Sequence, residues 1–225
     1  MSVIAFIPAR GGSKSIPEKN IKYFCGKPLI YWNLHELQKS EVDEIVVATD
    51  SDNIKLVVES FKFSKVKVYD RSSENSQDTS STESVMIEYI NSSDLSGSDT
   101  FMLVQATSPF TQTSHFNEGL ELFNNHDSIL SCCISKKFTW KEDGQALNYD
   151  IYNRPRRQDY KGDLIENGAF YISSVSDIKE TGNRISGKIG IYQMPEYTCT
   201  EIDEIEDWIV AESLMRRFIL NHKKR

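Results

Sequence analysis

The first half of the chain alternates short apolar runs with stretches of helical period. VIAFI (3–7), EIVVA (44–48), VKVY (66–69) and FMLVQ (101–105) are nearly continuous apolar segments, the pattern of strands buried on both faces. Between them, apolar residues recur at helical spacing near 28–39, 52–61, 80–91 and 114–124. Pro28 suits a first helical turn, and Ser80 with Glu83 predicts a capping box before the third helix. Strand–helix alternation predicts an α/β fold, a mostly parallel sheet with helices on both sides. Ligands of such sheets bind beyond the carboxyl ends of the strands. That rule selects four loops, 8–20, 49–52, 70–79 and 106–113.

The second half is less regular. SILSCCIS (128–135), AFYIS (169–173) and KIGIYQM (188–194) read as strands. Residues 136–167 are polar, aromatic and charged with no clear period, and read as an inserted lobe that contacts a second subunit. A last helix over about 204–220 sets Trp208, Ala211, Met215 and Phe218 on one docking face. A length of 225 residues suits one domain, 1–225, carrying that small insert.

Charge narrows the chemistry. The formal net charge of −7 opposes a nucleic-acid or anionic-membrane partner. Its distribution says more. Residues 1–27 carry five basic side chains against Glu18, and residues 154–161 carry four against Asp159. Residues 196–207 carry six acids and no base. Two positive islands and one negative island suit a small polyanion plus a cation; chance clustering on solvated faces is the competing reading. The cysteines (Cys25, Cys132, Cys133, Cys199) show no CxxC spacing and read as buried reduced thiols. The histidines (His35, His115, His126, His222) form no ligand pair, which argues against zinc. No apolar run near the start is long enough for a signal or a membrane span, so a cytoplasmic protein is expected. Lys223-Lys224-Arg225 reads as a solvated tail.

The strongest local signal is Ala9-Arg10-Gly11-Gly12-Ser13-Lys14-Ser15-Ile16-Pro17-Glu18-Lys19-Asn20, directly after the first strand. Gly11 and Gly12 bring backbone N–H groups close to oxygens, and Arg10, Lys14 and Lys19 supply charge for a triphosphate. Pro17 and the following NIKYF favour a wrapping loop rather than a Walker A turn. A surface turn with solvated lysines is the alternative. Arg71-Ser72-Ser73-Glu74, continuing to Asp78-Thr79-Ser80-Ser81-Thr82, offers hydroxyls and N–H groups at a helix start, although such runs are commonly caps. Gln105-Ala106-Thr107-Ser108-Pro109 places polar side chains at the fourth strand end. Arg154-Pro155-Arg156-Arg157-Gln158-Asp159 suits a carboxylate, or equally an ion-paired surface loop. Glu201 and Asp203 share a face if extended and can reach one hard cation, with helix capping an equal reading of this acidic run. Asp207 is placed to help the last helix start. Asp50-Ser51-Asp52 offers a rival metal motif, although Asp52 reads better as a helix cap.

Taken together, these motifs resemble the acylneuraminate cytidylyltransferases, or CMP-sialic acid synthetases, from Ile4 to about Met215. ARGGSKSIPEKN, RSSENSQDTSST, QATSP, RPRRQD with ENGAFY, and EIDEIEDW follow in that family's order. The resemblance implies a three-layer α/β nucleotide-binding sandwich and a homodimer. In it the lobe, residues 136–152, completes the partner's sugar site. It implies that Arg10, Ser13, Lys19, Asn20, Arg71, Ser80 and Thr82 hold the nucleotide. Gln105, Arg156, Arg157, Gln158 and Tyr171 would face the sugar. Asp203, with Glu201, would hold Mg2+, and Arg10, Lys19, Arg156 and Asp203 would be catalytic. Ser15 stands where the family usually has glycine, and Glu201 where it usually has aspartate.

The activity so implied is transfer of CMP from CTP to the anomeric hydroxyl of an acidic nine-carbon sugar, with release of pyrophosphate. The sister reactions would use Kdn, legionaminate, pseudaminate or Kdo. A glycosyltransferase using Asp50 and Asp52 and a non-catalytic nucleotide-binding module are the readings from other classes.

Overall fold

The computed structural model describes residues 1–77 and 79–221; Asp78, His222 and the Lys223–Arg225 tail lie outside them. In chain order the elements are β1 (Val3–Pro8), the small hairpin β2 (Tyr23–Phe24) and β3 (Lys27–Pro28), α1 (Leu29–Leu37), β4 (Glu44–Thr49), α2 (Asp52–Ser60) and β5 (Val66–Asp70). Then come α3 (Thr82–Ser92), β6 (Thr100–Val104), α4 (Thr113–Phe123), β7 (Ser128–Ser135), β8 (Asp163–Ser174), α5 (Val175–Thr181), β9 (Ile189–Met194) and α6 (Ile205–Met215). A π-helical turn, Arg216–Leu220, extends α6.

Among the described residues, seven strands form one sheet in the order β5-β4-β1-β6-β8-β7-β9. β5, β4, β1 and β6 run parallel, β8 is antiparallel to β6 and β7, and β7 is parallel to β9. The period of two along β1 explains the sandwich. Ala5 and Ile7 face one core with Ile30 and Leu34 of α1, Ile54 of α2 and Phe116 of α4. Ile4 and Phe6 face the other with Met86 and Ile90 of α3 and Ile178 of α5. A third cluster, at the loop end, seats Trp208, Ala211 and Met215 of α6 against Ile16, Phe24, Leu29 and Phe110. Ile219 is buried in it, one turn beyond Met215 on the same face, and Phe218 is partly buried beside it.

Three expectations change. β8 begins at Asp163, six residues before its predicted start, because Asp163–Glu166 pair only with β7 and are exposed, leaving no apolar pattern to read. The N-cap of α3 is Ser81, whose side chain accepts from Ser84 N; Ser80 Oγ instead donates to the Glu74 carbonyl at 2.9 Å. Cys133 and Cys199 are joined in a disulfide rather than reduced, while Cys25 and Cys132 stay free. Their separation in sequence, and the absence of a motif, hid the pairing. No helix among the described residues is long and apolar enough to cross a membrane.

Candidate active site

The four parallel strands end together, and the loops after them meet. β1 runs into the basic loop. Gly11 N donates to Asp50 Oδ1 at 2.9 Å. A Cβ on Gly11 would lie 2.9 Å from Ser51 Cβ, so only glycine permits this approach. The loop's far end is pinned by buried Ile16 in the third cluster and by Asn20, whose Nδ2 donates to the Arg10 carbonyl at 3.1 Å. Ser15 has no positive φ, whereas Glu18 in the same loop does, at φ 52°. Asp50 is thus spent on the loop, Ser51 caps α2, and Asp52, predicted as the cap, is merely the first helical residue.

Arg10, Asn20, Arg71, Ser80, Thr82 and Gln105 line one cavity of about 300 Å3, with Ser81, Ala106 and Thr107. Arg71 is the most telling of them. Its Nε is buried without a hydrogen-bond partner. Burial pushes its pKa down and Arg10 adds to this, while Asp50 and Glu88 oppose it. Two guanidinium groups near one another, one with an orphaned donor, form a site that an anion would complete. The loop that carries Arg71 is held by Glu88 of α3. Its carboxylate accepts from Ser72 N at 2.9 Å, Ser72 Oγ at 2.6 Å and Tyr69 Oη at 2.9 Å, and also from Asn75 Nδ2. Burial alone would raise the Glu88 pKa; these hydrogen bonds overcome it and hold the group at about 2. No motif marked Glu88, since it is one acid on a helix.

The second side of the site is built by a bulge in β8. Leu130 opposes Tyr171 and Cys132 opposes Glu166, so the four residues Asn167–Phe170 stand against Ser131 alone. Asn167, fully buried, donates to Thr198 Oγ1 at 2.9 Å and so ties the bulge to the segment before Glu201. Gly168 sits at φ 63°, and a Cβ there would lie 2.7 Å from Gln105 Oε1 and 3.0 Å from Glu201 Oε1. Gln105 and Glu201 therefore converge on Gly168. Asn33 Nδ2 holds the Gln105 carbonyl at 3.0 Å. Tyr171 Oη donates to Glu166 Oε2 at 2.9 Å, and burial, with that hydrogen bond, pushes the phenol up.

Lys19 links the two sides. Its Nζ donates to the Ile202 carbonyl at 2.8 Å and to Asp203 Oδ1 at 3.2 Å. Ile202 N in turn donates to the Thr107 carbonyl at 3.3 Å. Burial raises the Glu201 pKa, and Asp203 and Glu166 add to this, with Lys19 opposing. The Asp207 carboxylate accepts from Asp203 N and Glu204 N, the helix-start role expected of it.

No group of three His, Cys, Asp or Glu among the described residues could hold a metal by itself. Glu201 and Asp203 lie close enough for Asp203 to raise the Glu201 pKa, and one or two carboxylates are what magnesium characteristically takes from a protein.

Other expected residues lie apart from the cavity. Ser13 is half-buried in the loop, its N donating to the Gly11 carbonyl at 3.1 Å. Arg156 pairs with Asp159 at 2.6 Å with its side chain 74% exposed. Arg157 lies 3.6 Å from Glu196, in the turn before Glu201, and Gln158 is exposed. Arg154 stacks 4.6 Å over Phe138 within the lobe. None of these four arginine-loop residues lines the cavity formed by this chain.

The chain has similar proteins of known kind. N-acylneuraminate cytidylyltransferase B of Danio rerio is 39% identical over 223 residues, covering 95% of this chain and 51% of that protein. The chain thus spans about half the length of the first curated relatives it matches. Pseudaminic acid cytidylyltransferase of Campylobacter jejuni is 28% identical over 235 residues, 99% of each chain. Among solved structures, CMP:2-keto-3-deoxy-manno-octonic acid synthetase, complexed with CTP, shares the fold with a TM-score of 0.71 at 19% identity, covering 96% of this chain and 99% of that one. The profile of the Cytidylyltransferase family matches residues 4–212, and the chain belongs to that family.

Proposed function

We propose that this chain is a CMP-sialic acid synthetase, joining the CMP half of CTP to the anomeric hydroxyl of an N-acylneuraminate. The observation that carries the reading is the cavity itself. Five residues expected at the nucleotide, and Gln105 expected at the sugar, line one space at the ends of parallel strands. The 39% identity to an N-acylneuraminate cytidylyltransferase supports the choice of sugar.

In this reading the anomeric oxygen attacks the α-phosphorus in line, the bond to the β-phosphate oxygen breaks, and pyrophosphate leaves. Arg10 and Lys19 offset the charge that grows on the leaving group. Arg71, Ser80 and Thr82 hold the cytidine side. Gln105 and Tyr171 hold the sugar. Asp203 takes the hydroxyl proton, directly or through water. Glu201 and Asp203 would hold Mg2+, which supplies positive charge at the phosphate oxygens.

We further propose a homodimer in which Arg156, Arg157 and Gln158 serve the partner's sugar carboxylate, since they do not line their own chain's cavity. The reaction is placed in the cytoplasm, where CTP is made. Disulfides are rare there, so Cys133–Cys199 is then an oxidised state that reducing conditions open. Alkylation of freshly extracted protein should find four free thiols, against Cys25 and Cys132 alone for the disulfide form.

Pseudaminate is the second reading, favoured by the end-to-end match to the Campylobacter jejuni synthetase. Pyrophosphate release from CTP and Mg2+ with N-acetylneuraminate, Kdn, legionaminate, pseudaminate and Kdo in parallel decides between them. Release with N-acetylneuraminate and not with UTP supports the first reading. Release with pseudaminate alone supports the second, and silence across the panel sinks both.

A further inference from the structure

The turn between α5 and β9 holds an arginine that belongs to no recognised motif. Its backbone is fixed: Ser173 Oγ donates to the Arg184 carbonyl at 2.7 Å, and neighbouring Ile185 packs against the second core. The side chain reaches two groups on different elements, Glu83 of α3 and Tyr171 of β8. Its Nε donates to Glu83 Oε1 at 2.6 Å, and its guanidinium lies 5.0 Å from the centre of the Tyr171 ring. The ion pair is well shielded, 20% exposed at Arg184 and 25% at Glu83, unlike the open pairs of Arg156 and Arg157.

Glu83 lies in the first turn of α3, next to Thr82 on the wall of the nucleotide cavity. A carboxylate beside that wall repels a polyanion in the cavity through space, and a fixed guanidinium offsets it. Tyr171, on the far side of Arg184, is held between that guanidinium and Glu166. Glu83, Arg184, Tyr171 and Glu166 thus form one chain of contacts from the nucleotide wall to the sugar side.

We propose that Arg184 is a positioning residue that neutralises Glu83 for nucleotide binding and orients the Tyr171 ring for the sugar. The nucleotide half stands on the cytidylyltransferase family; the sugar half rests on the function proposed above.

The test uses Arg184→Ala, Arg184→Lys, Glu83→Gln and the Arg184→Ala/Glu83→Gln pair. CTP affinity is read by calorimetry, the KM of the sugar by pyrophosphate release, and folding by thermal melts. Arg184→Ala should weaken CTP about tenfold, the scale of one uncompensated charge near an anion. Adding Glu83→Gln should restore CTP affinity to within about twofold, while the sugar KM stays high because Tyr171 is still unsupported. Arg184→Lys should keep CTP affinity and not the sugar KM, since an ammonium cannot hold Glu83 and cover the Tyr171 ring as a guanidinium does. A merely structural role would lower the melting temperature and leave the double variant as weak for CTP as Arg184→Ala. That result overturns the proposal, as does unchanged CTP affinity in Arg184→Ala. If Arg184→Ala does not fold, Glu83→Gln alone should bind CTP more tightly than wild type, because it leaves Arg184 uncompensated. Unchanged CTP affinity there overturns the proposal, and Arg184→Lys still tests the sugar KM. A wild-type protein silent with every sugar would remove the proposed function, and the CTP titrations would still decide the role of Arg184.

Discussion

The Lys19 ammonium donates to the Ile202 carbonyl and to Asp203 with only 13% of its side chain exposed, so it serves both the basic loop and the acidic segment. Replacing it with methionine keeps most of the volume and removes the charge. Lys19→Met should lower kcat/KM for pyrophosphate release by about 10²–10³, with a melting temperature close to wild type. Glu88 gives a test in pH. Its folded pKa, about 2, lies below the unfolded carboxylate value, so its contribution to stability is full above the unfolded pKa and fades as pH falls towards about 2. Acid unfolding followed by circular dichroism should show Glu88→Gln less stable than wild type at pH 7. The two curves should converge as pH falls below 4; a constant gap down to pH 2 would contradict the assignment. At this scale the sequence is readable only where residues come in runs. Arg10, Asn20 and Arg71 announced themselves in motifs, whereas Glu88 and Arg184 are single charges whose partners lie 16 and 101 residues away.

The bulge of β8 is the element on which the sugar side depends. Gly168 combines a positive φ with close approach by Gln105 and Glu201, so Gly168→Ala should cost about 1 kcal/mol in backbone strain alone and displace both side chains. A drop in kcat/KM of at least tenfold with a folded protein is expected; unchanged turnover would show that Gln105 and Glu201 need not converge. The disulfide closes a span of 66 residues, from β7 to the segment just before Glu201. Chain entropy gives such a link about 4 kcal/mol at most. Cys199→Ser, or dithiol reduction, should lower the melting temperature by several degrees. Faster hydrogen exchange should be confined chiefly to residues 196–203. Continuous apolar runs made the central strands legible, since burial on both faces leaves no alternation to misread. The arm of β8 was not, because DLIE is exposed, and the cap of α3 slipped by one residue because Ser80, Ser81 and Thr82 are chemically alike.

For the whole molecule, the lobe poses the open problem. Ile151 and Tyr152 are 50% and 93% exposed beside the arginine loop, and Trp140 and Leu147 are exposed on the same insert. Surface of this kind on an otherwise ordinary fold marks a binding face. Aperiodic, aromatic composition made the insert visible in the sequence, but only the resemblance supplied its occupant, because one chain cannot show what it meets. If the occupant is a second copy, Arg156 works across the interface, and complementation separates that from action within one chain. In a mixture of Lys19→Met and Arg156→Ala proteins, half of the dimers should pair the two variants. In each such dimer, one site combines an intact Lys19 with the partner's intact Arg156. Activity should rise from near zero to about a quarter of wild type after subunit exchange. Action within one chain predicts no recovery at all, since every site would then carry one defect. Tyr152→Asp should shift the protein to monomer on size exclusion and abolish turnover while CTP still binds. A Tyr152→Asp monomer with full turnover would locate the sugar carboxylate on a single chain and end the trans assignment of Arg156.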